Sequence, residues 1–236
     1  DWFPRGELAD GYNTRQPIRS HGLTHIHHFY TKRNLAVLAN VFAKAKSNRV
    51  RFLFTGFAGG ATKLNQLHLK NYVFGGGGIN PGARKGTLYA PSISMEVPVT
   101  SLLKDRLATQ LRAYKSIKRQ RSGAHLVATG SASDLGDIPE NTLDYAFIDP
   151  PFGSNLNYSE LSSILEGWLG VVTDNEPEAI ENPVQGKAGG EYRQIMTLCF
   201  KELYRLLKPG RWITVEFSNT KASVWNNIQV CLEESG

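Results

Sequence analysis

Leu143-Asp144-Tyr145-Ala146-Phe147-Ile148-Asp149-Pro150-Pro151-Phe152-Gly153 is the stretch on which the fold turns. Leu143 to Ile148 is a short apolar run with β-favouring aromatics at Tyr145 and Phe147. Such a run, bounded by turn residues, predicts a buried strand. Pro150 and Pro151 have fixed φ angles and no N–H to give to a ladder, so the strand must stop there. What remains is a carboxylate, a stiff elbow and an aromatic ring at the carboxyl end of a strand. In open α/β sheets that end is where ligands bind.

Around this elbow the pattern is α/β. Upstream, Ala124 to Thr129 reads as a strand, followed by a turn at Gly130-Ser131-Ala132-Ser133-Asp134-Leu135. Downstream, Leu161, Ile164, Leu165, Trp168 and Leu169 recur at helical spacing, which predicts a helix over Ser159 to Gly170. Residues 171–190 are polar and turn-rich, and read as an excursion over the face that carries the elbow. Tyr192, Ile195, Met196, Cys199, Phe200, Leu203, Leu206 and Leu207 predict a second helix from Glu191 to Leu207. Lys208-Pro209-Gly210 should end it. Trp212 to Phe217 then reads as a strand, and Ser223 to Ser235 as a last helix.

Asp149-Pro150-Pro151-Phe152 resembles the D-P-P-[YF] catalytic motif of S-adenosylmethionine-dependent amino-methyltransferases, chiefly the adenine-specific DNA methylases. Leu206-Leu207-Lys208-Pro209-Gly210, with Trp212, Ile213 and Val215 behind it, resembles the helix-turn-strand unit that follows the catalytic strand in that family. The resemblance is good over residues 124–236 and loose before them. It implies an α/β fold: a Rossmann-like methyltransferase sheet flanked by helices, with a more helical, basic N-terminal half. Two domains are expected, a DNA-facing region over 1–123 and a catalytic core over 124–236.

The chemistry that the family performs suits these residue types. An exocyclic amine on a base is a poor nucleophile, because its lone pair is delocalised into the ring. A carboxylate and a nearby carbonyl that accept its two N–H groups draw the nitrogen towards a tetrahedral, more basic form. The resemblance gives these parts to Asp149 and the Pro150 carbonyl. Pro151 stiffens the elbow, and Phe152 stacks on a base flipped out of the duplex. It places S-adenosylmethionine beside Ala132 and Asp134, although Ser131 stands where the family has an acid. Asn155 and Tyr158 are expected to reach base or cofactor, or else to cap the following helix.

Phe57-Ala58-Gly59-Gly60-Ala61-Thr62 resembles the family's glycine-rich cofactor loop and departs from it twice. Thr55 stands where an acid is expected, and Ala61 where the second spaced glycine is expected. The other reading of this stretch is a small-residue helix packed closely on a neighbour.

Charge separates the two halves. The chain has 27 Lys+Arg and 21 Asp+Glu; residues 1–125 hold 20 and 5 of them, residues 126–236 hold 7 and 16. A basic half of this size implies a polyanionic partner, and DNA is the natural one. Asn34 to Ser47 predicts a helix with Asn34 as its N-cap and cations at both ends. The glycine-rich stretch from Gly75 to Gly86 carries Arg84 and Lys85. Thr87 to Met95 reads as a short strand or extended segment. Thr100 to Arg121 predicts a helix with Leu102, Leu103, Leu107, Leu111 and Tyr114 on its apolar side. Arg112, Lys115, Lys118, Arg119 and Arg121 are on its phosphate-facing side. His21, His25, His27 and His28 fit no structural zinc spacing, so no metal is expected.

Hydrophobic residues make up 41% of the 236, enough for a real core, and no apolar run approaches the length of a membrane span. Cys199 and Cys231 read as reduced core thiols of a cytoplasmic protein. The start at Asp1 and the end at Gly236 imply a segment of a longer protein. The expected activity is methyl transfer to the exocyclic amine of adenine in DNA, as in restriction-modification systems. The alternatives are a cytosine, RNA or protein-glutamine amine as acceptor, or a nucleic-acid-binding module with an incomplete, non-catalytic core.

Overall fold

A computed structural model describes residues 2–117, 123–154 and 156–236. Lys118, Arg119, Arg121 and Asn155 lie outside the described residues. The chain forms two units. The first is Asp1–Ala124 with Tyr158–Thr173, and the second is His125–Asn157 with Asp174–Gly236. The architecture is mixed: eight α-helices and one two-stranded parallel sheet among the described residues.

The first unit holds α1 (Arg15–His21), α2 (Lys32–Lys44), α3 (Asn48–Ala58), α4 (Leu69–Phe74), α5 (Val99–Ile117) and α6 (Tyr158–Leu169). Thr31, not Asn34, caps α2, its hydroxyl accepting the Asn34 N–H at 3.1 Å. Asn34 is buried and acts as a brace, its amide donating to the carbonyls of Ala61 and Val97, each at 3.0 Å. Ser47 caps α3 in the same way. Residues 87–95 form no strand, only a single antiparallel bridge from Ser94 to Gln66.

The core of this unit is aromatic. Trp168 of α6 is fully buried, and its ring meets Tyr30, Phe54, Phe42 and Trp2 at centroid distances of 5.9, 5.1, 5.6 and 6.2 Å. Its indole N–H donates to the Tyr30 hydroxyl at 3.0 Å. These contacts are why α6, expected with the catalytic core, belongs to the N-terminal unit. α5 is engaged mainly at its start, where Val99 is buried and Leu102 and Leu103 pack on the cluster. Leu107, Leu111 and Tyr114 of the expected apolar stripe are exposed.

His25, His27 and His28 come together, with ring centroids 4.4 to 5.5 Å apart. Among the described residues, no group of three or more His, Cys, Asp or Glu is placed to hold a metal ion. Burial holds the His27 pKa below its ordinary value, and positive charge on His28, His25 and Arg5 adds to the effect. An unfolded chain takes up this proton near pH ~6.5, whereas the folded chain resists it. The stability due to neutral His27 is therefore present above about pH 6.5 and is lost as pH falls through the lower folded value. Melting temperature is expected to fall between about pH 7 and about pH 5, and more steeply in the native chain than in His27→Phe. Parallel melting curves for the two proteins would remove His27 from this account.

In the second unit, β1 (Leu143–Ile148) pairs in parallel with β2 (Leu207–Val215). α7 (Gly189–Leu206) and α8 (Ala222–Glu233) pack on one face of the pair. Successive strand side chains point to opposite faces. Ala146, Ile148, Ile213 and Val215 thus join the core of Tyr192, Met196, Phe200, Leu203, Val224 and Ile228. Tyr145, Phe147 and Trp212, on the opposite face, are exposed. β1 is therefore half-buried, not buried as its apolar run suggested, because among the described residues the sheet has only two strands.

Two more expectations change. Residues 124–129 form no strand, and Leu126 and Val127 are 90% and 87% exposed. An apolar run becomes a strand only where a neighbouring strand takes its ladder, and none does here. Lys208-Pro209-Gly210 lies inside β2 and not before it. Leu143 opposes Leu207, yet Tyr145 opposes Trp212, so the extra residues of β2 bulge out of the ladder. Lys208 and Arg211 turn back to the Asp144 carboxylate at 3.0 and 3.3 Å. Both cysteines are free, and burial pushes the Cys199 thiol up to about 11. Among the described residues, no helix is long and apolar enough to cross a membrane.

Candidate active site

The elbow follows directly from the end of β1. Glu216 N–H donates to the Ile148 carbonyl at 2.9 Å, and beyond this bond Pro150 and Pro151 have no N–H to offer. Gly153 closes the elbow at φ 67°, a left-handed conformation that side chains resist. A Cβ at Gly153 would meet Val224 at ordinary contact distance, 3.5 Å, so the backbone angle selects glycine here and space does not.

Three successive carbonyls of the elbow are held from three directions. The Tyr192 hydroxyl donates to Pro151 O at 2.8 Å. The Asn219 side-chain amide donates to Phe152 O at 2.8 Å, and the Glu181 N–H to Gly153 O at 3.2 Å. Asn219 is itself fixed, since its carbonyl accepts the Trp225 indole N–H at 2.8 Å. The Phe152 ring stands edge-on to Phe217 at 5.1 Å and 82°, and Phe217 stands edge-on to Trp225 at 5.0 Å and 86°.

Two acceptors of the elbow take no donor from the described residues. Asp149 is an exposed residue and Pro150 a buried one, and neither the Asp149 carboxylate nor the Pro150 carbonyl accepts a hydrogen bond from any described residue. The elbow thus carries a carboxylate and a carbonyl on adjacent residues, held by a frame in which no described residue donates to either. Chemically this is a double acceptor for a group with two N–H donors.

Burial raises the Tyr192 phenol well above its usual value, with the charges of Cys231 and Glu181 adding to the shift. Tyr192 therefore stays protonated and remains a donor. Tyr192→Phe is expected to leave Pro151 O unpaired and to destabilise the chain by about 1–3 kcal/mol. Urea unfolding checks this, and an unchanged midpoint would show that the phenol does not hold the elbow.

Of the expected 171–190 excursion, residues 174–188 precede α7 in the second unit and reach the elbow through Glu181. Lys187 is buried and gathers it, its ammonium donating to the carbonyls of Asn175 and Glu178, the latter at 2.7 Å. Ile180 beside Glu181 is fully buried.

The other expected site residues are dispersed. Leu135 N–H donates to Glu202 at 3.0 Å and Arg205 to the Leu135 carbonyl at 3.0 Å, which fixes Asp134 and the nearby Ala132 near the end of α7. Asn141 and Thr142, just before β1, bond to the carbonyls of Arg205 and Leu206 in the same place. That is the amino end of β1, about 20 Å from Asp149 at roughly 3.3 Å per residue. Tyr158 opens α6 in the first unit. Phe57, Ala58, Ala61 and Thr62 are buried in α3 and the turn after it, with Gly60 close against Leu102. This is the small-residue helix packing on its neighbour, and not an open loop. Arg84, Lys85, Arg112 and Lys115 are all exposed in the first unit, with Arg84 lying 4.3 Å over the Tyr89 ring.

Sequence reasoning missed the residues that brace the elbow. Tyr192 fitted the apolar stripe of α7 and gave no other signal. Asn219 gave none either: its place follows only from the pairing of Val215 with Ile148, which sets the residues just after β2 beside those just after β1. Comparisons with protein-family models, curated proteins and solved structures gave no match.

Proposed function

We propose that the chain carries the catalytic elbow of an amino-methyltransferase that acts on adenine in DNA, with S-adenosylmethionine as the methyl donor. The observation that carries this reading is the pair of acceptors at Asp149 and Pro150, to which no described residue donates, in a frame that satisfies the three carbonyls after them. Asp149 and the Pro150 carbonyl accept the two N–H groups of the amine, which aims its lone pair away from both. Phe152, braced by Phe217, offers a ring against the base. Positioning and electrostatics suffice for this role, and no covalent intermediate with the protein is needed.

The parallel pairing of β1 with β2 is what a Rossmann-like sheet would share, and such a sheet would carry a covering layer over the exposed face at Tyr145, Phe147 and Trp212, since parallel sheets are as a rule covered on both faces. Ala132 and Asp134, expected beside the donor, lie towards the amino end of β1, and Asp149, Pro150 and Phe152 follow its carboxyl end.

Two measurements on the same chain test the reading. S-adenosylmethionine is titrated by calorimetry, and transfer of its labelled methyl group to DNA is followed. Saturable binding with transfer to adenine supports the proposal. DNA binding without donor binding or transfer supports the alternative, a non-catalytic nucleic-acid-binding module.

A further inference from the structure

The first unit carries an exposed apolar finger over residues 66–82. Its base is clamped. Gln66 N–H donates to Gly82 O at 3.3 Å, His68 N–H to Ile79 O at 2.8 Å, and Leu67 N–H to Ile93 O at 3.2 Å. Its tip is α4, a single short helix that buries no residue. Tyr72 is 65% exposed and Phe74 is 83% exposed. Four glycines follow Phe74, and Gly75 and Gly76 take φ 74° and 93°. The Asn71 side chain closes the turn by donating to Gly78 O at 2.9 Å. The Phe74 ring therefore stands beside a stretch of bare backbone.

Exposed aromatics on a clamped projection mark a contact surface. Its charge identifies the class of partner. Residues 11–95 contain no Asp or Glu and twelve Lys or Arg, among them Lys70, Arg84 and Lys85. Twelve cations with no carboxylate among them suit a polyanion. A polyanion that also offers flat π faces to phenyl and phenol rings is a nucleic acid.

We propose that the 66–82 finger is a base-stacking wedge. Phe74 and Tyr72 pack against unstacked bases, and Lys70, Arg84 and Lys85 hold the neighbouring phosphates. This role rests on the DNA partner proposed above and not on the methyl-transfer chemistry. It predicts a preference for strands whose bases are already unpaired, where no stacking need be broken.

The test is fluorescence anisotropy with a labelled single strand, its duplex, and the duplex with one unpaired base. Heparin and anionic phospholipid vesicles serve as comparison ligands. Phe74→Ala and Tyr72→Ala alter exposed side chains, and circular dichroism checks that they leave the fold intact. Phe74→Ala is expected to weaken single-strand and bulged-duplex binding by roughly ten- to a hundred-fold. Its slope of log affinity against log salt should match that of the native chain, and heparin binding should not change. Arg84→Ala with Lys85→Ala should weaken all the polyanions and reduce the slope by about 2. Native-like DNA binding by Phe74→Ala overturns the wedge and leaves the DNA partner standing. Loss of vesicle binding in Phe74→Ala with DNA binding intact overturns it in favour of a lipid surface. Absence of DNA binding by the native chain at low salt overturns both the wedge and the DNA partner, whatever the elbow does.

Discussion

Asp149→Ala is expected to lower methyl transfer to adenine roughly a hundred- to a thousand-fold at saturating donor and DNA. In the proposed role the carboxylate is one of two acceptors for the amine, and its removal would leave one N–H unpaired as the nitrogen becomes tetrahedral. The loss should appear in the single-turnover rate, because this interaction strengthens only towards the transition state. Asp149→Asn keeps the shape and one acceptor oxygen but brings a donor into the same space, so its rate should also fall well below native. Stability separates this effect from unfolding. Asp149 is exposed and makes no hydrogen bond to a described residue, so either change should shift unfolding by no more than about 0.5 kcal/mol. A single-turnover rate for Asp149→Ala equal to the native one would sink the catalytic reading of the elbow.

Trp168→Ala should have the largest effect on folding. The ring is fully buried among Tyr30, Phe42 and Phe54, and its removal opens a cavity at the centre of the first unit. Truncations of this type cost about 3–5 kcal/mol. Loss of the indole N–H also leaves the buried Tyr30 hydroxyl without that donor. Against a typical domain stability of about 5–15 kcal/mol, the first unit would be left marginal or unfolded. Trp168→Phe refills part of the volume and should cost roughly 1–3 kcal/mol. Urea unfolding and hydrogen exchange at the amides of α2 and α3 measure both. A shift under about 1 kcal/mol for Trp168→Ala would mean that the aromatic cluster does not hold the unit together.

β1 and its elbow were legible from residues 143–153 alone, because an apolar run and two prolines act within a few bonds of themselves. α7 and α8 were legible for a similar reason: their apolar residues recur at helical spacing, and spacing needs no partner. The same local rules read Ala124 to Thr129 as a strand and failed. A strand needs a ladder, and no described strand pairs with residues 124–129. They also read the Leu143 run as a buried strand, whereas only its face towards α7 and α8 is covered.

The candidate site divides along the same line. Asp149, the two prolines and Phe152 announce themselves by residue type and order. The braces do not, because Tyr192 and Asn219 lie 41 and 67 residues from the carbonyls they hold. Ala132 and Asp134 looked near the elbow in sequence, yet the strand between carries them to its other end. Trp168 reads as one more apolar residue on α6, and its partner Tyr30 is 138 residues away. Sequence thus sufficed for the strand, its abrupt stop and the acceptors at that stop, because backbone sterics and hydrogen-bonding capacity belong to single residues. Packing across the chain settled which helix joins which unit, which sheet face is covered and which elbow carbonyls are held, because burial and hydrogen-bond partners are properties of residues brought together from far apart.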